Sequence, residues 1–164
     1  MILGMSVEAF TKLHVAISLV AILSGFVAVF AMIARRQLPA VTLLFLATTI
    51  LTSATGFLFH SAKIGPPHIV GAISLVVLAI ALVALYGRKL AGVWRPIYVV
   101  CAVLALYLNV FVAIVQAFQK LPGLAILAPT QTEPPFVAAQ GAGLVVFVLL
   151  GVLAWRNFRP ATAA

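Results

Sequence analysis

Five apolar stretches occupy almost the whole of this 164-residue chain and constrain its fold more than any other feature. An α-helix needs about 20 apolar residues to cross a hydrocarbon layer about 30 Å thick, and each stretch is close to that length. The sequence therefore predicts an all-α integral membrane protein, a single domain over residues 1–164 with five transmembrane helices. The stretches cover residues 12–34, 40–60, 67–86, 96–119 and 135–156.

The composition excludes a soluble globular domain. Hydrophobic residues make up 65% of the chain and charged residues 7%, whereas a soluble domain carries about 25% charged residues. The lone Cys101 has no second cysteine in the sequence, which excludes an intramolecular disulfide and paired-thiol redox chemistry. Any function must therefore lie in the bundle, in its short connections or in an oligomer interface.

The net charge of +8 is explained by the positions of the basic residues rather than by a nucleic-acid partner. Basic residues concentrate in the cytoplasmic connections of membrane proteins. Seven of the ten fall on one side of the predicted bundle, and Lys12, Lys63 and Lys120 fall on the other. The sequence thus predicts an external N-terminus, a cytoplasmic C-terminus and no nucleic-acid partner. The seven residues are Arg35, Arg36, Arg88, Lys89, Arg95, Arg156 and Arg159.

All three histidines fall on the external side, because consecutive membrane-spanning helices alternate in direction. His14 lies early in the first stretch, His60 at the end of the second and His68 at the start of the third. Two imidazoles at equal depth can supply both axial ligands of haem b, and imidazole is also a common ligand of transition metals. We therefore expect a cofactor site with His14 and His68 as the better pair and His60 as a weaker ligand. The alternative is that these histidines only lie among lipid headgroups.

Two glutamines extend the predicted cofactor-binding site. Gln116 in the fourth stretch and Gln140 in the fifth lie in the outer half of the membrane, and hydrocarbon cannot satisfy their amides. Both are therefore expected to face the bundle interior. Small residues beside the histidines leave room for a macrocycle or a quinone, although small residues also serve ordinary helix packing. Asn109, in the middle of the fourth stretch, is expected to bond to another helix.

The longest connection, residues 120–134, is external and apolar at its centre. It is expected to lie in the outer membrane interface or to fold back over the bundle as a lid, and a connector resting on headgroups is the alternative. Glu133 is expected to cap the fifth helix. It is also one of only two acidic residues and lies on the histidine side, so it is a candidate third ligand of a metal site with His14 and His68.

The segment Leu108 to Gln140 and the LTSATGF segment at 51–57 resemble a group of small uncharacterised bacterial multi-helix inner-membrane proteins. The resemblance extends over most of the five predicted helices. It implies a multi-pass protein of the bacterial inner (plasma) membrane. It implies no activity, so catalytic residues remain unassigned.

Two functions of different classes are compatible with this sequence. The first is a membrane redox or cofactor-binding protein that holds haem b or a transition metal and is linked to a quinone. The second is a small-solute transporter or a non-catalytic structural subunit, working as a homo-oligomer or within a larger membrane complex. The spans contain no acidic pair, which weakens proton-coupled transport. Whether the chain is an enzyme stays open.

Overall fold

The computed structural model describes residues 1–59 and 65–159, and most of these residues are helical. Prolines begin several of the helices, where the missing N–H would have had no partner within the helix. The six helices of the described ranges are α1 (Val7–Ile33), α2 (Pro39–Gly56), α3 (Pro66–Leu82, extended by a π-helical turn Val83–Gly87), α4 (Trp94–Lys120), α5 (Pro122–Leu127) and α6 (Pro134–Asn157).

Five of these helices, all except α5, are long and apolar enough to cross a membrane, so this is a multi-pass membrane protein. The predicted boundaries differ from the structure mainly at two points. The first helix begins at Val7 rather than at residue 12, because the Ser6 hydroxyl caps it by accepting the Ala9 N–H at 3.1 Å. The second helix ends at Gly56 rather than at residue 60, because Phe57 and Leu58 form a turn.

Helix α4 is central and packs against α1, α2, α3 and α6. Helix α1 also packs on α2 and α6, and α2 packs on α3. Over the described ranges, α1 and α3 share no extensive interface. We call the end that holds the N-termini of α1, α3 and α6 the histidine end. The opposite end is called the basic end, because it holds the seven basic residues Arg35, Arg36, Arg88, Lys89, Arg95, Arg156 and Arg159.

The hydrophobic core is concentrated in the half of the bundle next to the basic end. In α4, most residues from Tyr98 to Leu106 are buried, whereas every residue from Tyr107 to Ala117 is only half-buried. The other core residues come mainly from the last turns of α1, α3 and α6 and from the first half of α2. The bundle is therefore closely packed towards the basic end and loosely packed towards the histidine end.

Helices α1, α2 and α4 come together at Gly25 of α1. A Cβ atom at this position would lie 2.6 Å from Leu106 Cδ1 and 2.8 Å from Phe45 Cε2, and both of these side chains are fully buried. Nearer the histidine end, Asn109 Nδ2 donates to Thr49 Oγ1 at 3.2 Å. This bond between α4 and α2 confirms the prediction that Asn109 bonds to another helix, and it marks the upper limit of the closely packed half.

Candidate functional site

His14 lies two turns into α1, and helix α2 holds its ring. Its Nδ1 is 2.8 Å from Thr55 Oγ1, and the Thr55 hydroxyl lies 2.6 Å from the Leu51 carbonyl oxygen. Because the hydroxyl donates its proton to that carbonyl, Thr55 Oγ1 accepts a hydrogen bond from His14 Nδ1–H. The neutral ring keeps its lone pair on Nε2, which has no hydrogen-bond partner among residues 1–59 and 65–159.

Aromatic rings pack beside the His14 imidazole. The Phe59 ring meets it edge-on with centroids 5.2 Å apart, and Phe10 packs on Phe59 at 5.2 Å. A Cβ atom at Gly56 would lie 3.9 Å from His14 Cε1, so the glycine leaves the ring close to the α2 backbone. His14 is thus held between α1 and α2.

His68 occupies a different kind of position, at the start of α3. Its Nδ1 accepts the Gly65 N–H at 3.2 Å, so the side chain bonds back to the residue that caps its own helix. The ring also packs against Phe57 with centroids 5.8 Å apart. In the neutral ring this bond leaves the proton on Nε2, so neither nitrogen offers a lone pair while the bond is present. The contact stabilises the first turn of α3.

The two imidazoles therefore contact different residues, Thr55 of α2 for His14 and Phe57 of the turn after α2 for His68. They also belong to helices that share no extensive interface in the described ranges. His60, the weaker predicted ligand, lies outside the described residues. Within residues 1–59 and 65–159, no group of three or more His, Cys, Asp or Glu side chains is placed to hold a metal ion. The described part of the chain supplies one imidazole with an available lone pair, that of His14.

Gln140 of α6 presents a second unused acceptor. Its Nε2 donates to the Phe111 carbonyl of α4 at 3.3 Å, while its buried Oε1 has no hydrogen-bond partner in the described ranges. The buried Thr52 Oγ1 of α2 is unpartnered in the same sense. Buried polar groups without partners cost free energy, most of all in hydrocarbon. Gln116, the other predicted glutamine, is half-buried one turn before the end of α4.

His14, Gln116 and Gln140 lie on three helices that pack against one another, α1, α4 and α6, whereas His68 belongs to a fourth helix. All three lie towards the histidine end from the closely packed half. The Gln140 amide bonds to the Phe111 carbonyl, five residues before Gln116, which corresponds to about 7.5 Å along α4.

The connection between α4 and α6, residues 120–134, lies along the end of α4. Its central part forms α5, which packs on α4 and leaves Ile126 77% exposed. Beyond α5, Gln131 Nε2 donates to the Val115 carbonyl at 3.1 Å, and Gln131 Oε1 accepts from Gln119 Nε2 at 3.4 Å. This segment therefore packs along α4 and leaves apolar side chains exposed at the histidine end.

Glu133 is the N-cap residue of α6, as predicted, but its carboxylate makes no capping hydrogen bond to that helix. The carboxylate instead accepts hydrogen bonds from the Thr130 hydroxyl at 2.8 Å and from the Thr132 N–H at 3.0 Å. The turn directs these donors at it because Gln131 adopts a φ of 60°. Desolvation raises the pKa of this carboxyl, but the hydrogen bonds from Thr130 and Thr132 and from the backbone lower the pKa by more, to below its ordinary value.

This pKa direction predicts a pH-dependent contribution to stability. A carboxyl whose pKa is lower in the folded state stabilises the fold above its unfolded pKa, and the contribution is lost as the pH falls through the folded pKa. We expect Glu133→Gln to unfold at lower denaturant concentration than the wild type at pH 7. The difference should begin to shrink as the pH falls below the ordinary glutamate pKa of 4.5 and should be lost only below the lower pKa of the folded state. Glu8→Gln is the control, because Glu8 pairs only with exposed Lys12. An equal difference at every pH would contradict the assigned role of Glu133.

Thr55 and Thr52 are site residues that the sequence did not reveal. A hydroxyl within a helix can bond back to a carbonyl of its own helix, as Thr48 does with Leu44 at 2.6 Å. Thr55 does so as well, yet it also accepts from His14, and Thr52 makes no such bond. The only available signal was the density of hydroxyl and small residues in LTSATGF.

Comparison of the chain with protein-family models, with curated proteins and with solved structures gives no match.

Proposed function

We propose that this protein is a membrane redox or cofactor-binding protein that binds a quinol in the loosely packed half of the bundle, with His14 as the principal binding residue. The observation that supports this most is the His14–Thr55 hydrogen bond, with the Thr55 proton directed to Leu51. A histidine held through one ring nitrogen presents the other to a ligand in a defined tautomer.

The unsatisfied groups favour a ligand that donates hydrogen bonds. Both His14 Nε2 and Gln140 Oε1 are acceptors without a partner in the described ranges. A quinol carries two hydroxyl donors on an apolar ring and is soluble in the bilayer, so it matches both the polarity and the location. The oxidised quinone has no such donors. Selective binding of the reduced form is therefore the expected signature of this site.

An apolar groove begins about one helical turn from Gln140 and suits the isoprenoid tail of a membrane quinol. It has a volume of about 240 Å³ and lies between α4 and α6. Leu144 lies one turn after Gln140, and Tyr107 lies one turn before Phe111, whose carbonyl binds the Gln140 amide. The end of the groove at Tyr107 and Leu144 is thus about one helical turn from the polar end of the proposed site.

Haem b or a transition metal ligated by His14 and His68 has less support. Coordination by His68 requires loss of its bond to the Gly65 N–H, and α1 and α3 share no extensive interface in the described ranges. Glu133, the third proposed metal ligand, uses its carboxylate oxygens to hold the Thr130–Thr132 turn. The quinol assignment requires none of these bonds to break.

We also propose that the basic end faces the cytoplasm of a bacterial inner membrane and the histidine end faces the periplasm. The placement of seven basic residues at one end supports this orientation. The proposed quinol site then lies in the outer leaflet.

The structural-subunit alternative is favoured by α6. Only Phe147 and Ala154 are buried in this helix, so most of its apolar surface is uncovered by the described part of the chain. Such a helix suits either lipid or a partner in a homo-oligomer or larger complex. The transporter alternative is weaker, because Phe45 and Leu106 close the bundle interior at Gly25.

The deciding experiment is a titration of the purified protein in lipid nanodiscs with a short-chain benzoquinol and with its quinone, together with an absorption spectrum and metal analysis. We expect the quinol to bind at least about tenfold more tightly than the quinone. A tenfold difference in affinity corresponds to the loss of roughly one or two hydrogen bonds. A Soret band or a stoichiometric metal would refute the quinol assignment in favour of haem or metal. If neither form binds and the protein is colourless and free of metal, the structural-subunit function is the one that the result supports.

A further inference from the structure

The basic end of the bundle carries seven cationic side chains and no acidic one. Both acidic residues of the sequence, Glu8 and Glu133, lie at the histidine end. The ion pair found in the described ranges joins Lys12 to Glu8 at 2.7 Å and lies at that end as well. Most of the seven cations are exposed. Like charges gathered on one surface repel one another unless an external anion lies among them.

We propose that this end binds the headgroups of anionic phospholipids, at a site centred on the α3–α4 loop, residues 88–93. The backbone of this loop is held in place by the core. The Arg88 N–H donates to the Val83 carbonyl at 2.8 Å and the Leu90 N–H to the Ala84 carbonyl at 3.0 Å, and the Leu90 side chain is buried. Arg88 and Lys89 therefore project from a fixed backbone, which reduces the conformational freedom lost when they bind a phosphate.

Trp94 sets the depth of this cationic cluster. The Arg88 guanidinium carbon lies 5.2 Å from the centre of the Trp94 ring, and Arg95 follows directly in the first turn of α4. Tryptophan side chains prefer the membrane–water interface, where lipid phosphates are located. The planar guanidinium of arginine pairs with two oxygens of one phosphate at a time. The cluster of Arg88, Lys89 and Arg95 is thus held at the level of the phosphates.

Exposed apolar side chains beside the cluster distinguish a lipid from a soluble phosphate. Val93 is 68% exposed and Tyr86 is 53% exposed, and they flank the loop on its two sides in sequence. Acyl chains of a bound phospholipid cover such side chains, whereas inorganic phosphate leaves them uncovered. The combination of fixed cations, an interfacial tryptophan and exposed apolar neighbours therefore fits a phospholipid.

The test is native mass spectrometry of the full chain in detergent, titrated with phosphatidylglycerol and with phosphatidylcholine. We expect the wild type to bind phosphatidylglycerol more tightly, and the triple variant R88Q/K89Q/R95Q to lose at least about tenfold of that affinity. R156Q/R159Q removes two charges from the same end without touching the loop, and its loss is expected to be smaller. Circular dichroism shows whether each variant is folded. If the triple variant does not fold, the single variants R88Q and R95Q are measured in its place.

Three outcomes would overturn the proposal. The first is equal wild-type affinity for the two lipids. The second is a folded triple variant, or a folded pair of single variants, with undiminished preference for phosphatidylglycerol. The third is complete displacement of the lipid by millimolar inorganic phosphate or by an oligonucleotide, which would indicate a site for a soluble anion or for nucleic acid. None of these results depends on whether the quinol binds at the other end.

Discussion

Replacing Gly25 by leucine is expected to prevent stable packing of the bundle. Even a Cβ atom would lie 2.6 Å from Leu106 Cδ1 and 2.8 Å from a carbon of the Phe45 ring. Both neighbours are fully buried and have no free space to move into. Gly25→Ala, which adds one methyl group, is expected to cost about 1–3 kcal/mol of unfolding free energy. The longer leucine should leave little folded protein in the membrane, as measured by yield and by denaturant unfolding in detergent.

Gly141 provides the matched control for this substitution. It lies on an exposed part of α6, and a Cβ atom there would have no neighbour within 4 Å. Gly141→Leu is therefore expected to unfold like the wild type. The double variant G25A/L106A should be less destabilised than the sum of its single variants, because the shortened side chain makes room for the added methyl group. A stable Gly25→Leu protein would mean that α1, α2 and α4 do not cross at this residue.

Replacing His14 by alanine is expected to have the largest effect on ligand binding. The imidazole Nε2 is the proposed acceptor for a quinol hydroxyl, and the substitution leaves that hydroxyl without a partner in a site of low polarity. A lost hydrogen bond of this kind costs about 1–3 kcal/mol, which corresponds to roughly a tenfold to hundredfold weaker affinity. The measurement is the quinol titration in nanodiscs described above, repeated on the variant.

Two further variants separate ligand contact from positioning. Thr55→Val removes the acceptor that fixes His14 Nδ1–H at 2.8 Å, so an intermediate loss of affinity is expected. His68→Ala removes the bond to the Gly65 N–H and should lower stability while leaving quinol affinity near the wild-type value. If His68→Ala abolished binding as completely as His14→Ala, the paired-histidine ligand site predicted from sequence would be the better description.

The number of membrane-spanning helices could be predicted, because hydrocarbon thickness sets the length of an apolar span. The start of α1 and the end of α2 could not, because they depend on the Ser6 cap and on the turn at Phe57 and Leu58. The inward orientation of Asn109 followed from the same physics, since its amide needs a partner that lipid cannot provide. The hydrogen-bond partners of side chains at helix N-termini were harder to predict. Glu133 was placed correctly at the start of a helix, but the partner of its carboxylate depends on the left-handed conformation of Gln131. No residue type in that turn specifies this conformation.

Helical spacing assigns His14, Gln116 and Gln140 to the part of each helix nearer the histidine end, but it does not fix the rotation of each helix about its own axis. The Thr55–His14 bond and the separation of His68 from α1 both depend on that rotation. The bond of His68 to the Gly65 N–H resembles the second half of a capping box, in which the third helical residue bonds back to the N-cap, but neither residue type is usual in that motif.

The uneven packing along the bundle makes a bound ligand part of the protein's stability as well as of its function. After Leu106 the residues of α4 change from buried to half-buried, so the rest of the described chain covers them less completely. A molecule that fills that region adds the missing contacts and favours the folded state in proportion to its concentration relative to its dissociation constant. Protein extracted without its ligand would then be least stable at the histidine end, and the natural ligand would be recognised as the compound that makes the purified protein hardest to unfold.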